Sequence, residues 1–168
     1  GENKIQEALD KWLSIKDEYP NINLHMIGKL QSNKAKYLLP LFDYLHSLDN
    51  LKLAKKIAEQ EKKNKKKLKI FIQVNIGDES QKNGVALNYL EEFYFICVKE
   101  LKLNIIGLMC LPPNDENVDN YFSKMQKLNK KFGLTELSLG MSNDYLNAIE
   151  YGSTFVRIGS KIFGDRSQ

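Results

Sequence analysis

Six short apolar runs punctuate the chain: residues 21–28 (NINLHMIG), 44–48 (YLHSL), 69–76 (KIFIQVNI), 104–111 (NIIGLMCL), 136–139 (ELSL) and 154–159 (TFVRIG). Between them lie segments whose apolar residues recur at helical spacing. Residues 3–18 carry Ile5, Ala8, Leu9, Trp12 and Leu13. Residues 34–42 give a short helix, and residues 50–62 a longer one through Leu51, Leu53, Ala54, Ile57 and Ala58. Residues 85–100 carry Val85, Leu90, Phe93 and Val98, and residues 117–132 carry Val118, Tyr121, Phe122, Met125, Leu128 and Phe132. A last helix is expected over 143–151. Continuous apolar strands alternating with helices are the pattern of a parallel sheet buried on both faces, so the chain is α/β. Right-handed crossovers join such units.

Six units make either an open doubly wound sheet or most of an eight-unit barrel. Polar residues recur just after most strands, at His25 to Lys29, Ser47 to Asn50, Asn75 to Lys82, Ser138 to Ser142 and Arg157 to Ser160. A barrel collects functional groups at the C-terminal ends of many strands, whereas an open sheet concentrates them at one switch point. The distribution leans toward the barrel.

A length of 168 residues with 42% hydrophobic and 27% charged residues fits one domain with one substantial core. The longest apolar run, Phe93 to Val98, is far short of a membrane span, and no signal-peptide pattern is present. A cytoplasmic protein is expected, or a mitochondrial one in a eukaryote. Cys97, Cys110, His25 and His46 show no metal-ligand spacing, and the two thiols read as core residues. Net charge is +4, and the basic run at 61–69 (EKKNKKKLK) follows a helical pattern. It reads as the solvated end of a helix, where lysine suits the dipole, rather than as a nucleic-acid module, for which stacking aromatics are missing. Only two arginines, Arg157 and Arg166, stand among 23 lysines, so a position that keeps arginine's planar fork draws attention.

Two turns of small residues follow the last two strands. In SLGMSND, Gly140 lets the backbone turn, and Ser142 is expected to cap the helix that follows; in RIGSKIFG, Gly159 and Ser160 repeat the arrangement. Unpaired amides at two converging helix starts favour an anion such as a phosphate. A pair of ordinary capped helices is the structural alternative.

The blocks GENKIQEAL, HMIGKLQSNK, HSLDN, IQVNIGDESQKNGV, IIGLMCLPP and ELSLGMSNDYLNAIEYGSTFVRIGSKIFG resemble, in order and over almost the whole chain, those of the pyridoxal phosphate homeostasis protein family. These are small barrel proteins that bind pyridoxal 5'-phosphate (PLP) and are related to the N-terminal domain of alanine racemase. The resemblance implies one PLP-binding (β/α)8 barrel domain without robust catalysis, which buffers or delivers the cofactor, with PLP-dependent apoenzymes as recipients, as a monomer or weak homodimer. It implies phosphate contacts from Ser142, Gly159 and Ser160, with Gly140 and Met141 lining the turn. Arg157, Asn3 and His25 are expected near the cofactor. A helix cap for Asn3, a hydrogen-bonded core histidine for His25 and an ion pair for Arg157 are the structural alternatives.

In the family the PLP lysine lies on the first strand, upstream of the GEN block with which this chain opens. The six strands are therefore expected to be strands three to eight, without that lysine, and PLP is expected to bind weakly or non-covalently. A fragment of a longer chain is the favoured explanation. Lys82 and Lys161 are the remaining amines near the strand ends. The rival readings are a fragment of a racemase-like PLP enzyme and the lysine-rich nucleic-acid module.

Overall fold

A computed structural model describes residues 1–79, 83–113 and 117–164; Lys82 and Arg166 lie outside the described residues. The elements run α1 (Ile5–Trp12), β1 (His25–Met26), α2 (Leu38–Leu41), β2 (Tyr44–Leu48), α3 (Leu51–Asn64), β3 (Lys69–Gln73), α4 (Leu90–Phe95), β4 (Ile105–Met109), α5 (Val118–Lys131), β5 (Glu136–Met141), α6 (Tyr145–Glu150), β6 (Phe155–Arg157) and α7 (Ser160–Phe163). All six strands are parallel, and each pairs with its neighbours in chain order. This order has no switch point, which sets aside the doubly wound alternative.

The sheet is curled. Five strand spacings would hold β1 and β6 about 24 Å apart in a flat sheet. Yet the ring of Phe155 on β6 lies 5.7 Å from that of His25 on β1 and 5.6 Å from that of Tyr44 on β2. The strands therefore form the wall of a barrel, with one face turned inward and the other covered by helices. On the β1 side, Glu2 adds one parallel rung: its amide donates to the His25 carbonyl at 2.8 Å, and its carbonyl accepts from the Ile27 amide at 2.9 Å.

The helices form where apolar spacing and end chemistry agree. Ile5, Ala8 and Leu9 turn one stripe of α1 inward, and Trp12 Nε1 and Lys11 Nζ both donate to the Glu2 carboxylate, at 2.6 and 3.1 Å. At α3, Asn50 is the N-cap, its Oδ1 accepting from the Leu53 amide at 2.9 Å, and Lys65 closes the helix in the left-handed region. Asn129 of α5 accepts from the Leu108 amide and donates to the Leu134 carbonyl, which ties that helix to β4. The lysine-rich run is built into the structure: Lys66 donates to the Leu39 and Phe42 carbonyls, and Lys67 joins the buried Glu61 carboxylate to the Lys102 carbonyl.

Two boundaries differ from the sequence reading. Val85 does not begin a helix. Its amide donates to the Gln73 carbonyl and its carbonyl accepts from the Asn75 amide, so it pairs as a bridge with Val74, and α4 starts only at Leu90. The end of that helix, Ile96–Glu100, winds as a π-helix. The first strand also shrinks to two residues, because the Leu24 carbonyl accepts from both Asp43 and Tyr44 amides, and the Leu24 amide donates to the Asp43 carboxylate. Among the described residues no helix is long and apolar enough to cross a membrane.

Candidate functional site

Alternation along the strands sends every second side chain into the barrel. On β3, Ile70 and Ile72, with Val74 just beyond its end, join the apolar core beneath the helices, whereas the fully buried Phe71 lies outside that core cluster and faces inward. The same division leaves Leu137 and Leu139 outside and Ser138 inside on β5. Around Phe71 the inner face gathers aromatic rings. His46 stacks on it at 4.3 Å, Phe155 meets it edge-on at 5.3 Å, and His25 stacks on Tyr44 at 4.0 Å.

Hydrogen bonds cross this face from strand to strand. His25 Nδ1 lies 2.9 Å from His46 Nε2, and His46 Nδ1 lies 2.9 Å from Ser138 Oγ. Arg157 Nη1 donates to Ser138 Oγ at 2.6 Å and to the Ser138 carbonyl at 3.0 Å; its Nη2 donates to the Cys110 carbonyl at 2.9 Å. Arg157 is thus held by neutral acceptors. Among the described residues no carboxylate pairs with it, and its buried Nε has no hydrogen-bond partner. Asp144 favours its charged form from a distance without pairing with it, and a buried guanidinium with a free donor is costly unless something accepts from it.

Burial dominates the electrostatics. It pushes the His25 imidazole down to about 4, with Asp43 opposing and Lys69 adding to the fall. It pushes His46 down to about 3, helped by His25 and Arg157. Both rings are therefore neutral at neutral pH. Burial also lowers Arg157, which nonetheless stays a cation because guanidinium starts so high. The free, buried thiols of Cys97 and Cys110 are pushed up to about 12 and are unreactive as nucleophiles.

The two turns meet beyond β5 and β6. Gly140 has φ +86, and a Cβ there would sit 2.7 Å from the Ala148 Cβ, so only glycine lets α6 start so close to the strand. Ser142 is not the helix cap. Asp144 stands at the N-cap, its carboxylate turned back to the Met141 amide at 2.6 Å. Ser142 is instead buried, and its Oγ accepts from the Gly159 amide at 3.2 Å, which joins the two turns directly. The Met141 side chain is exposed, as are Gly159 and Ser160 at the mouth of the second turn. The first amides of α7 have no intrahelical acceptor. Lys161 places its ammonium 4.8 Å from the centre of the Tyr145 ring, on the α6 side of this pair of turns.

Asn3 lies at the opposite side. Its backbone packs so tightly on Gly28 that a Cβ at Gly28 would come within 2.0 Å of the Asn3 carbonyl oxygen. It does not cap α1, since Lys4 occupies that position, and its exposed side chain shares no hydrogen bond with the turns. Ser47 Oγ donates to the Gly28 carbonyl at 2.6 Å and so fixes the β1 end of the site. The structure therefore joins His25 to Arg157 and Ser142 to Gly159, and places Asn3 apart from both pairs. Ser138 and Ser47 fall among the polar strand-end residues, but sequence gives no sign of the part His46 takes.

The chain matches the family model for the alanine racemase N-terminal domain over residues 1–167. It is 39% identical to the pyridoxal phosphate homeostasis protein of Aquifex aeolicus over 99% of this chain and 76% of that protein. With the Escherichia coli K12 protein of the same name it shares 35% identity over 99% of this chain and 75% of that one. Among solved structures it is similar to PipY of Synechococcus elongatus with PLP bound, with a TM-score of 0.88 and 30% identity over 98% of this chain and 80% of that one. Alanine racemase from Corynebacterium glutamicum shares the fold at a TM-score of 0.70 and 14% identity over 99% of this chain and 47% of that one. The chain therefore belongs to the pyridoxal phosphate homeostasis protein family and carries the alanine racemase N-terminal domain.

Proposed function

We propose that this chain binds PLP at the C-terminal ends of its strands and serves to hold and release the cofactor, in the cytoplasm, without robust catalysis of its own. The observation that carries the reading is Arg157, a buried cation with which no carboxylate pairs among the described residues and whose buried Nε has no partner, two residues before Gly159, where the two turns join through Ser142. These groups fit the chemistry of the cofactor. The Ser142 hydroxyl hydrogen and Ser160 at the start of α7 suit a phosphate, with Gly159 joining the two turns and Gly140 and Met141 shaping the first. Arg157 supplies a fixed positive charge and a donor to an acceptor on the ring side. His25 contributes a neutral imidazole to the inner face, and Asn3 borders the β1 side. When bound, PLP supplies a carbonyl that reacts reversibly with amines.

In this reading the domain is a barrel in which the six strands take the places of strands three to eight. PLP is held non-covalently by this chain, and PLP-dependent apoenzymes are the recipients, the protein acting as a monomer or weak homodimer. Titration of the chain with PLP, followed by absorbance and by calorimetry, is expected to show one saturable site that inorganic phosphate competes for. Borohydride treatment of the complex followed by peptide mass mapping is expected to find no pyridoxyl-modified lysine, Lys82 and Lys161 included. Absence of saturable PLP binding overturns the assignment, and a modified lysine overturns the non-covalent hold.

A further inference from the structure

One order of hydrogens along Arg157, Ser138, His46 and His25 gives every donor that faces another member of the chain an acceptor. A guanidinium can only donate. Ser138 Oγ therefore accepts from Arg157 Nη1 at 2.6 Å; were it to accept from His46 as well, its own hydrogen would have no acceptor in this chain of groups, so that hydrogen goes to His46 Nδ1 at 2.9 Å. A neutral His46 that accepts at Nδ1 carries its proton on Nε2, which faces His25 Nδ1 at 2.9 Å. His25 accepts there and keeps its own proton on Nε2. The rings cannot easily turn over to reverse this order. His46 lies against Phe71 and edge-on to Phe155, and His25 lies flat on Tyr44.

The ordering matters for Arg157. No ion pair among the described residues orients its guanidinium, so its direction depends on three neutral acceptors: the Cys110 carbonyl, the Ser138 carbonyl and Ser138 Oγ. Two of these are backbone atoms fixed by the sheet. The third is a rotor, and a serine hydroxyl that turned its hydrogen toward Arg157 would repel it. His46 Nδ1 is what keeps that hydrogen away. We propose that Ser138, His46 and His25 form a one-way relay that positions the Arg157 guanidinium, with His46 acting on it through Ser138 and not by touching the ligand. The proposal rests on the reading above that Arg157 faces the bound cofactor.

The relay has a signature that needs no substitution and no PLP. Long-range 1H–15N spectra of the 15N-labelled chain at neutral pH distinguish the two imidazole tautomers. The chain has only two histidines, so the spectrum of His46→Phe assigns both. Both rings are expected as the Nε2–H tautomer; a His46 carrying its proton on Nδ1 overturns the relay even if PLP binds well. The functional arm is a double-mutant cycle. Ser138→Ala and His46→Phe are each expected to weaken PLP binding about fivefold in the otherwise unchanged chain, and by less than about twofold once Arg157→Lys has removed the fork. His46→Asn, whose amide oxygen can accept from Ser138, is expected to restore most of the affinity. Equal losses in both backgrounds, or no rescue by asparagine, mean that His46 only supports the fold. Failure of the unaltered chain to bind PLP refutes the functional reading and leaves the tautomer result to decide the relay.

Discussion

On the outer face of the sheet, Ile70 and Ile72 of β3, Leu108 of β4 and Leu137 and Leu139 of β5 pack into one cluster with Leu53, Ile57, Phe93, Phe122 and Met125 of the helices. On the inner face of the same sheet stand Phe71, Ser138 and Arg157, with His25 and His46 beside them. The outer face is apolar and needs only volume and burial. The inner face is polar and aromatic, and its side chains are held by directed hydrogen bonds between strands far apart in sequence. A single strand serves both because its side chains alternate, so the face that holds the fold together can be kept apart from the face proposed to meet the cofactor.

The sharpest way to break this division is a cavity on the outer face. Leu108 is fully buried in the sheet and helix core. Leu108→Ala is expected to lower stability by about 2–5 kcal/mol, measured by urea denaturation, while the molecules that remain folded keep their PLP affinity. If affinity instead falls as far as it does for inner-face variants, the two faces are not separable.

Arg157→Lys is the next largest and works in the opposite sense. Lysine keeps the charge but cannot reach Ser138 and the Cys110 carbonyl together. Losing charge-assisted hydrogen bonds of about 1.5–3 kcal/mol is expected to weaken PLP binding at least about tenfold in a calorimetric titration. The midpoint of thermal unfolding should move less than in Leu108→Ala. A larger stability loss than affinity loss would make Arg157 part of the fold and not of the site.

How far each face is legible in the sequence follows from the same contrast. Alternating strand and helix patterns and the polar strand ends point to the barrel wall, because burial of an apolar stripe is a local property that periodicity records. The placement of Val85 in a bridge escapes that reading, since an apolar residue ahead of a helix looks the same whether it pairs with a strand or begins the helix. Ser142 looks like a cap because its residue type and spacing suit one; Asp144, two residues later, takes the place, and that frees Ser142 to meet Gly159. The His46 and Ser138 contact joins residues 92 positions apart and is set by barrel curvature, which no local pattern encodes. Resemblance to a family carries Arg157 and the two turns, but not the residues that hold them.

Acid should separate the faces as well. His25 and His46 have native values of about 4 and 3, below the ordinary 6.5. As pH falls below that ordinary value, the unfolded chain binds protons that the native chain refuses, so stability is fully present above it and drops on acidification. The slope is expected to reach up to about 1.4 kcal/mol per pH unit for the buried His46, and less for His25, which is only half-buried. Denaturation midpoints between neutrality and pH 4 should show it. His46→Phe should flatten the curve and Leu108→Ala should leave its slope unchanged.

The smallest effect is expected from Ser142→Ala, and the reason lies in what Ser142 already does. Its Oγ accepts from the Gly159 amide. Removing the hydroxyl takes away a donor to a bound phosphate, but it also releases the Gly159 amide from its internal partner, so one hydrogen bond is lost and another becomes available to the ligand. The net cost should therefore stay within the range of a single neutral hydrogen bond, about 0.5–1.5 kcal/mol, and appear as a roughly twofold to tenfold weaker PLP titration with little change in the unfolding midpoint. A loss exceeding that of Arg157→Lys would move the main anchor of the cofactor from the inner face of the barrel to the pair of turns beyond it, and the relay behind Arg157 would then matter less than the link between the loops.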